Sequence, residues 1–242
     1  AEPDARDWMA LPYDARDYRI GLGEGVRGLR IAFSRNLGYA SVDPEVTELV
    51  EEAVRVFEEL GAIVEEVDPG FESPRRAFEV YYSTRFTFVL DHLAEQQREL
   101  LDPGLVQMAE EGRNFTVRDL MEAELEQAIL GRHMSLFHRT YDLLLTPQVP
   151  LAAFEAGVDF PENRGMRCWL DWTPFTYPFN FTQQPAASVP CGLTREGLPV
   201  AIQIVGPRYR EDQVLRASRA YESAHPFPML PWSPPAGGQA KR

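Results

Sequence analysis

The sequence has two cysteines, one lysine and no long apolar run, and each shortage excludes a class of protein. Cys168 and Cys191 are too few and too far apart for a disulfide framework or a zinc site, so we expect reduced thiols in a cytoplasmic protein. No apolar run approaches the roughly 18 residues that span a bilayer, so no membrane partner is expected. Residues 1–20 are acidic, contain two prolines and lack the apolar centre of a signal peptide.

Basic residues are also in deficit. The chain carries 24 Lys and Arg against 37 Asp and Glu, a net charge of −13. Such an acidic surface repels phosphates, so we expect no nucleic-acid partner. With 242 residues, 44% of them hydrophobic, the chain is long enough to bury a core and is expected to form one large domain.

The usual groups for covalent catalysis are missing as well. There is no Gly-x-Ser-x-Gly, no pair of adjacent serines and no glycine-rich loop before a helix, and Lys241 is the only lysine. His133 and His138 lie five positions apart on a predicted helix and diverge, which disfavours a metal site. Cys191 ends a strand with no histidine near it in sequence, which favours a small buried packing residue over a nucleophile. We therefore predict no catalytic residue, no metal site and no cofactor in this chain.

The pattern of elements predicts an α/β fold, a mixed β-sheet covered by helices. Residues 29–34 and 62–68 read as strands around a helix that starts at Asp43-Pro44, with Asp43 as its capping side chain, and that stops at Gly61. This unit predicts two parallel strands with a right-handed crossover. The further predicted elements are a helix from Ser73-Pro74 to about Leu101, a helix at 104–111, a helix at 117–139 capped by Thr116, strands at 141–147, 187–190 and 198–205, and a helix at 211–224.

Two stretches allow two interpretations each. The segment 148–170 is too long to be a simple connector, and it could form a substrate-facing wall or a surface loop without a function. The following segment, 171–181, is crowded with aromatic residues that could pack in the core or line a pocket. The last two strands, joined by a turn at 194–197, are predicted to be antiparallel.

The segment from Asn180 to Gly206 resembles the closing motif of the amidase signature family, N-x-T-G-x-P-A-x-S-V-P-x-G followed by G-L-P-V-G-x-Q-x-V-G. The matching residues are Asn180, Thr182, Pro185, Ala186, Ser188, Val189, Pro190, Gly192, Gly197, Leu198, Pro199, Val200, Gln203, Val205 and Gly206. Gln183 and Ala201 stand where the family usually has glycine. The resemblance extends over residues 26–224 and implies a partial amidase signature fold.

The resemblance implies a hydrolase of carboxylic amides that uses a Ser–cis-Ser–Lys triad and backbone oxyanion donors, none of which this chain contains. It therefore implies a carboxy-terminal half (29–224, after a 1–28 linker and before a Pro/Gly-rich tail at 225–242) that is inactive alone. The partners expected are an amide substrate, the missing amino-terminal half and a second copy of the chain in a homo-oligomer.

The resemblance also implies which residues face the substrate: Trp172, Thr173 and Tyr177. In amidotransferase A subunits the position of Thr173 is usually acidic. An amide substrate whose acid side is apolar or aromatic is therefore favoured over glutamine. Two alternatives stay open, namely a degenerate domain that binds without chemistry and a glutamyl-tRNA amidotransferase A-type subunit.

Overall fold

The structure is a computed structural model that describes residues 4–227. Five strands form one sheet in the order β2-β1-β3-β5-β4. The strands are β1 (Arg30–Phe33), β2 (Ile63–Glu66), β3 (Leu143–Pro147), β4 (Ala186–Leu193) and β5 (Pro199–Val205). The helices are α1 (Pro44–Glu59), α2 (Arg75–Asp91), α3 (Glu95–Arg98), α4 (Pro103–Glu111), α5 (Val117–Phe137), α6 (Tyr177–Thr182) and α7 (Glu211–Ala224). No helix in this range is both long and apolar enough to traverse a bilayer.

The mixed sheet confirms the predicted fold class. β1 pairs in parallel with β2 and with β3, while β5 runs antiparallel to β3 and to β4. The crossover through α1 ends at Gly61, whose φ of +88° is a left-handed conformation that a residue with a Cβ adopts only at a cost. β4 is bulged between Pro190 and Gly192, as suits an edge strand that contains a proline.

Residues that alternate along the strands point into two separate hydrophobic cores. Ile31, Leu143 and Ile202 pack with α1 and α7 in a cluster that we call the aliphatic layer. Ala32 and Leu144 point the other way, into an aromatic layer formed with α2, α5 and α6. Because the side-chain period of a strand is two, one short strand supplies both layers.

Two motif glycines allow the helices of the aliphatic layer to approach the sheet. A Cβ at Gly206 would lie 2.7 Å from Cγ2 of Val214 on α7, and a Cβ at Gly192 would lie 2.8 Å from Cδ2 of Leu49 on α1. Both distances are shorter than a carbon–carbon contact permits. These glycines therefore serve helix–sheet packing.

Two local predictions were wrong. The second helix ends at Asp91 and not near Leu101, because the chain turns back so that Leu93 and Leu101 face Val89 in an apolar cluster with α4. A straight continuation would have held these side chains in solvent. Asp43 precedes α1 but does not cap it, because its carboxylate accepts hydrogen bonds of 2.6 and 2.7 Å from the guanidinium of Arg164.

Candidate functional site

The candidate site lies on the aromatic layer, beside the carboxyl ends of the parallel strands. β1 ends at Phe33, which pairs with Leu145, and β3 ends two residues later at Pro147. The long segment that leaves β3 reaches the start of α6. In α/β sheets this edge is where ligands bind, since loops leave the strands there and open a crevice. The segment 148–170 contains a short 3-10 turn at Glu162–Arg164, and a second such turn, Trp169–Trp172, begins at the end of the segment and leads into the site.

The three residues that the resemblance places on the substrate wall have different surroundings. Trp172 is half-buried, donates its indole N–H to the Asp159 carbonyl at 2.9 Å, and meets the Phe154 ring edge-on at 5.7 Å. Thr173 is 6% exposed and its hydroxyl donates to the Trp169 carbonyl at 3.3 Å. Of these three, only Trp172 keeps substantial surface for contact with a ligand.

Tyr177 belongs to a small hydroxyl cluster. Its phenol oxygen lies 3.0 Å from Oγ of Ser73, and the neighbouring Tyr39 donates to the Pro174 carbonyl at 3.0 Å. Burial raises the pKa of both the Tyr39 and the Tyr177 phenol, so both stay protonated at neutral pH. The cluster fixes the start of α6 against the start of α2.

An ion pair that the sequence did not indicate organises the turn before Thr173. Arg75 pairs with Asp171 and also donates to the sulfur of Cys168 at 3.1 Å. Asp171 accepts from the backbone N–H of Arg167 at 2.7 Å and of Cys168 at 3.1 Å. Burial raises the pKa of the Asp171 carboxyl, but these hydrogen bonds and the Arg75 charge outweigh burial and hold the pKa below its ordinary value. The residues are 96 positions apart, so no local pattern could have joined them.

A cavity of about 210 Å³ opens next to this ion pair, between α2, α4 and residues 159–170. Its apolar wall contains Met108, Phe160, Trp169 and Leu170. Its charged groups are Glu79, Glu111, Asp159 and Arg167, three carboxylates against one guanidinium. The cavity can therefore take a neutral or cationic group with an apolar body, and it repels a carboxylate.

A second polar network closes the opposite end of α6. Gln184 donates to Nε2 of His138 at 2.9 Å and to the Gly206 carbonyl at 3.0 Å, and it accepts from the Thr182 hydroxyl at 2.7 Å. Nδ1 of His138 lies 3.0 Å from the Tyr141 carbonyl, which fixes the ring as a donor on that side. Burial lowers the pKa of His138, so the ring is neutral at pH 7. Every group in this network has a partner, which indicates a structural role.

Gln183 keeps the backbone conformation of the glycine that the motif usually has there. Its φ is +58°, in the left-handed region, and its side chain turns outward to accept a hydrogen bond from Arg208 at 2.9 Å.

Cys191 is buried, and burial raises the pKa of its thiol to about 12, which makes it an unreactive packing residue. Within residues 4–227 no group of three or more His, Cys, Asp or Glu side chains could hold a metal ion.

Known proteins resemble the chain along most of its length. A family model described as Amidase matches residues 1–215. The chain is 33% identical over 233 residues to an acylamidase of Rhodococcus erythropolis, and 30% identical over 254 residues to the A subunit of a glutamyl-tRNA(Gln) amidotransferase from Myxococcus xanthus. Each alignment covers 94% of this chain but only 49% and 51% of the relative.

Among solved structures, a bacterial aryl acylamidase of the amidase signature enzymes superposes with a TM-score of 0.79 at 29% identity. The superposition covers 93% of this chain and 49% of the aryl acylamidase. The chain therefore spans about half the length of these three relatives.

Proposed function

Since the chain belongs to the amidase signature family, we propose that it is the carboxy-terminal half of a hydrolase that cleaves carboxylic amides at carbon–nitrogen bonds other than peptide bonds. The observation that carries this proposal is the 33% identity to an acylamidase over 233 residues, which spans half of that relative. The reactive serines and lysine belong, in this proposal, to an amino-terminal half, and the present chain alone is inactive. The two free thiols support a cytoplasmic location in this proposal.

The amino-terminal half has a natural docking surface at β4. Ala186, Ser188 and Pro190 are exposed on the aromatic side of the sheet, at an edge strand that no helix covers on that side within residues 4–227. Exposed strand edges invite pairing with another chain or segment. We propose that the absent half extends the sheet from β4 and closes the cavity beside Trp169.

The cavity supports a preference for amides with an aromatic or aliphatic acid group. Three carboxylates and one guanidinium line it, and Thr173 stands where an amidotransferase A subunit usually has an acid. Glutamine carries an α-ammonium group, and the uncharged Thr173 cannot form the ion pair that an acid at this position would offer. Trp172 supplies the remaining apolar contact at the wall, whereas Thr173 and Tyr177 hold the wall in place.

The test is substrate choice by the whole protein that contains this chain. We expect release of ammonia from benzamide, whose acid group is aromatic, and no release of ammonia from glutamine. Trp172→Ala should raise KM severalfold with little change in kcat, because it removes binding that the ground state and the transition state share. Phe88→Ala, at an exposed position on α2, is the matched control.

Two other outcomes would favour the rival functions. Ammonia release from glutamine, together with co-purification of partner subunits, would favour an amidotransferase A-type subunit. The 30% identity to such a protein supports this alternative. Ligand binding by the whole protein without turnover of any amide would favour a degenerate binding domain.

A further inference from the structure

The segment that carries Trp172 also forms one side of the cavity. We call residues 167–172 the wall turn. Its first four residues belong to the cavity lining, while α2 and α4 contribute Glu79, Met108 and Glu111 to the same lining. The position of the wall turn relative to α2 therefore sets the width of the cavity.

A single carboxylate links the wall turn to α2. One oxygen of Asp171 pairs with the guanidinium of Arg75, the first residue of α2. The other oxygen accepts the backbone N–H groups of Arg167 at 2.7 Å and Cys168 at 3.1 Å. Arg75 also donates to the sulfur of Cys168 at 3.1 Å. Within residues 4–227, α2 makes no other side-chain hydrogen bond to the wall turn.

The link is made of charged groups that are partly removed from solvent. The Arg75 and Asp171 side chains are 39% and 21% exposed. Hydrogen bonds that involve a charged group are shorter and stronger than neutral ones, and partial burial reduces their screening by salt. The link therefore holds the wall turn at a fixed distance from α2.

The cavity has room for an aromatic ring. Apolar cavities of about 150 Å³ bind benzene, and this cavity has about 210 Å³ with Met108, Trp169 and Leu170 in its apolar lining. We propose that Arg75 and Asp171 are positioning residues that make the cavity selective for amides with an aromatic acid group over small aliphatic amides. This role rests on the proposed function, in which the cavity holds the acid group of the substrate.

Removal of the link should impair aromatic substrates alone. In Asp171→Asn the side chain loses its charge, and its new N–H₂ group faces Arg75 or the backbone N–H groups, donor against donor. The wall turn then moves relative to α2, and the ring of benzamide loses contacts that acetamide never makes. A displacement of about 1 Å is enough to cost a substrate a large factor in rate.

The test compares ammonia release from benzamide and from acetamide by the whole protein. Asp171→Asn should lower the ratio of the two kcat/KM values at least about tenfold, mainly through the KM of benzamide, because ring binding is shared by the ground state and the transition state. The kcat/KM of acetamide should stay within about threefold of its original value. A loss of folded enzyme would lower both kcat/KM values equally and leave the ratio unchanged.

Two further variants show whether the pair acts as a unit. Arg75→Met should lower the ratio in the same direction, and the double variant should be no worse than Asp171→Asn, since both changes break one link. Arg113→Met is the matched control, because Arg113 pairs with Asp91 at the other end of α2. It should leave the ratio unchanged. Equal losses on benzamide and acetamide, or additive losses in the double variant, would overturn the proposal.

A binding measurement separates this proposal from the proposed function. If the whole protein cleaves no amide, the proposed function fails, and calorimetry with acetophenone, an uncleavable neutral ketone shaped like benzamide, decides the role of the pair. We expect acetophenone to bind the whole protein at least about tenfold more weakly after Asp171→Asn. Equal affinity of the two proteins, or no binding by the unaltered protein, would overturn the role assigned to Arg75 and Asp171.

Discussion

The two faces of the sheet differ in how completely they are covered. On one face α1 and α7 reach across to β4, where Val189 and Cys191 are buried beneath them. On the other face α2, α5 and α6 cover β1, β3 and β5 but leave Ala186, Ser188 and Pro190 of β4 exposed. The candidate site, with its cavity and its buried hydroxyls, lies entirely on this second, open face.

The two faces therefore have different roles: one stabilises the chain, and the other is also available to a ligand or to another segment. The aliphatic layer is a closed core that stabilises the fold. The aromatic layer is a partial core that also holds the 3-10 turn, the ion pair and the cavity. Side chains of the open face should therefore affect both stability and ligand binding, whereas those of the closed face should affect stability alone.

The largest effect is expected at the junction of α2 and α4 on the open face. A Cβ at Gly112 would overlap Oγ1 of Thr87 and the backbone carbonyl of Ser83. Because backbone atoms cannot move aside, Gly112→Ala should lower the free energy of unfolding by about 3 kcal/mol. Urea denaturation measures the change.

Gly131 provides the matched control for that substitution. It lies in α5 with no atom within 4 Å of an added Cβ. Gly131→Ala should stabilise the chain by about 0.5–1 kcal/mol, because alanine loses less backbone entropy in a helix. Equal effects of the two substitutions would contradict the packing described at Gly112.

A tyrosine on each face sharpens the comparison. The Tyr221 phenol in the aliphatic layer is buried and has no hydrogen-bond partner within residues 4–227, while the Tyr177 phenol meets Ser73. Tyr221→Phe should raise the free energy of unfolding by up to about 1 kcal/mol, and Tyr177→Phe should lower it by about 1 kcal/mol. The sign of the difference is the result to measure; the same sign for both would refute the assignment of the hydroxyl partners.

A pH dependence is also expected on the open face. Burial lowers the pKa of His138 from its ordinary value of 6.5. Just below pH 6.5, His138 is therefore protonated in the unfolded chain but still neutral in the folded chain. Stability should therefore fall as the pH drops from 7.5 to 5.5, by at most about 1.4 kcal/mol from this residue. Urea midpoints at both pH values measure it. His138→Asn should flatten the dependence in this window; an unchanged slope would show that another group is responsible.

Strong local patterns predicted most of the fold. The helix predicted at 211–224 is found at Glu211–Ala224, and the antiparallel pair at the end of the chain is β4 and β5. These segments carry capping residues, clear periodicity or a turn sequence. α2 was predicted about ten residues too long because apolar residues such as Leu93 continue past its end, and only the fold shows that they belong to a turn.

The site was less predictable because it is made by distant residues. The resemblance selected Trp172, Thr173 and Tyr177, and their place on the substrate wall stays a prediction. The Arg75–Asp171 pair and the cavity lined by Met108 and Phe160 join segments far apart in sequence. No spacing rule connects such residues, since tertiary packing alone brings them together.

The central claim is that this chain supplies a wall and an open sheet edge, while the reactive groups come from another segment. The most direct measurement is ammonia release from benzamide by three samples: this chain alone, the amino-terminal half alone, and the two combined. The account predicts no turnover above the buffer blank for either half and clear turnover on mixing. Turnover by this chain alone would contradict it.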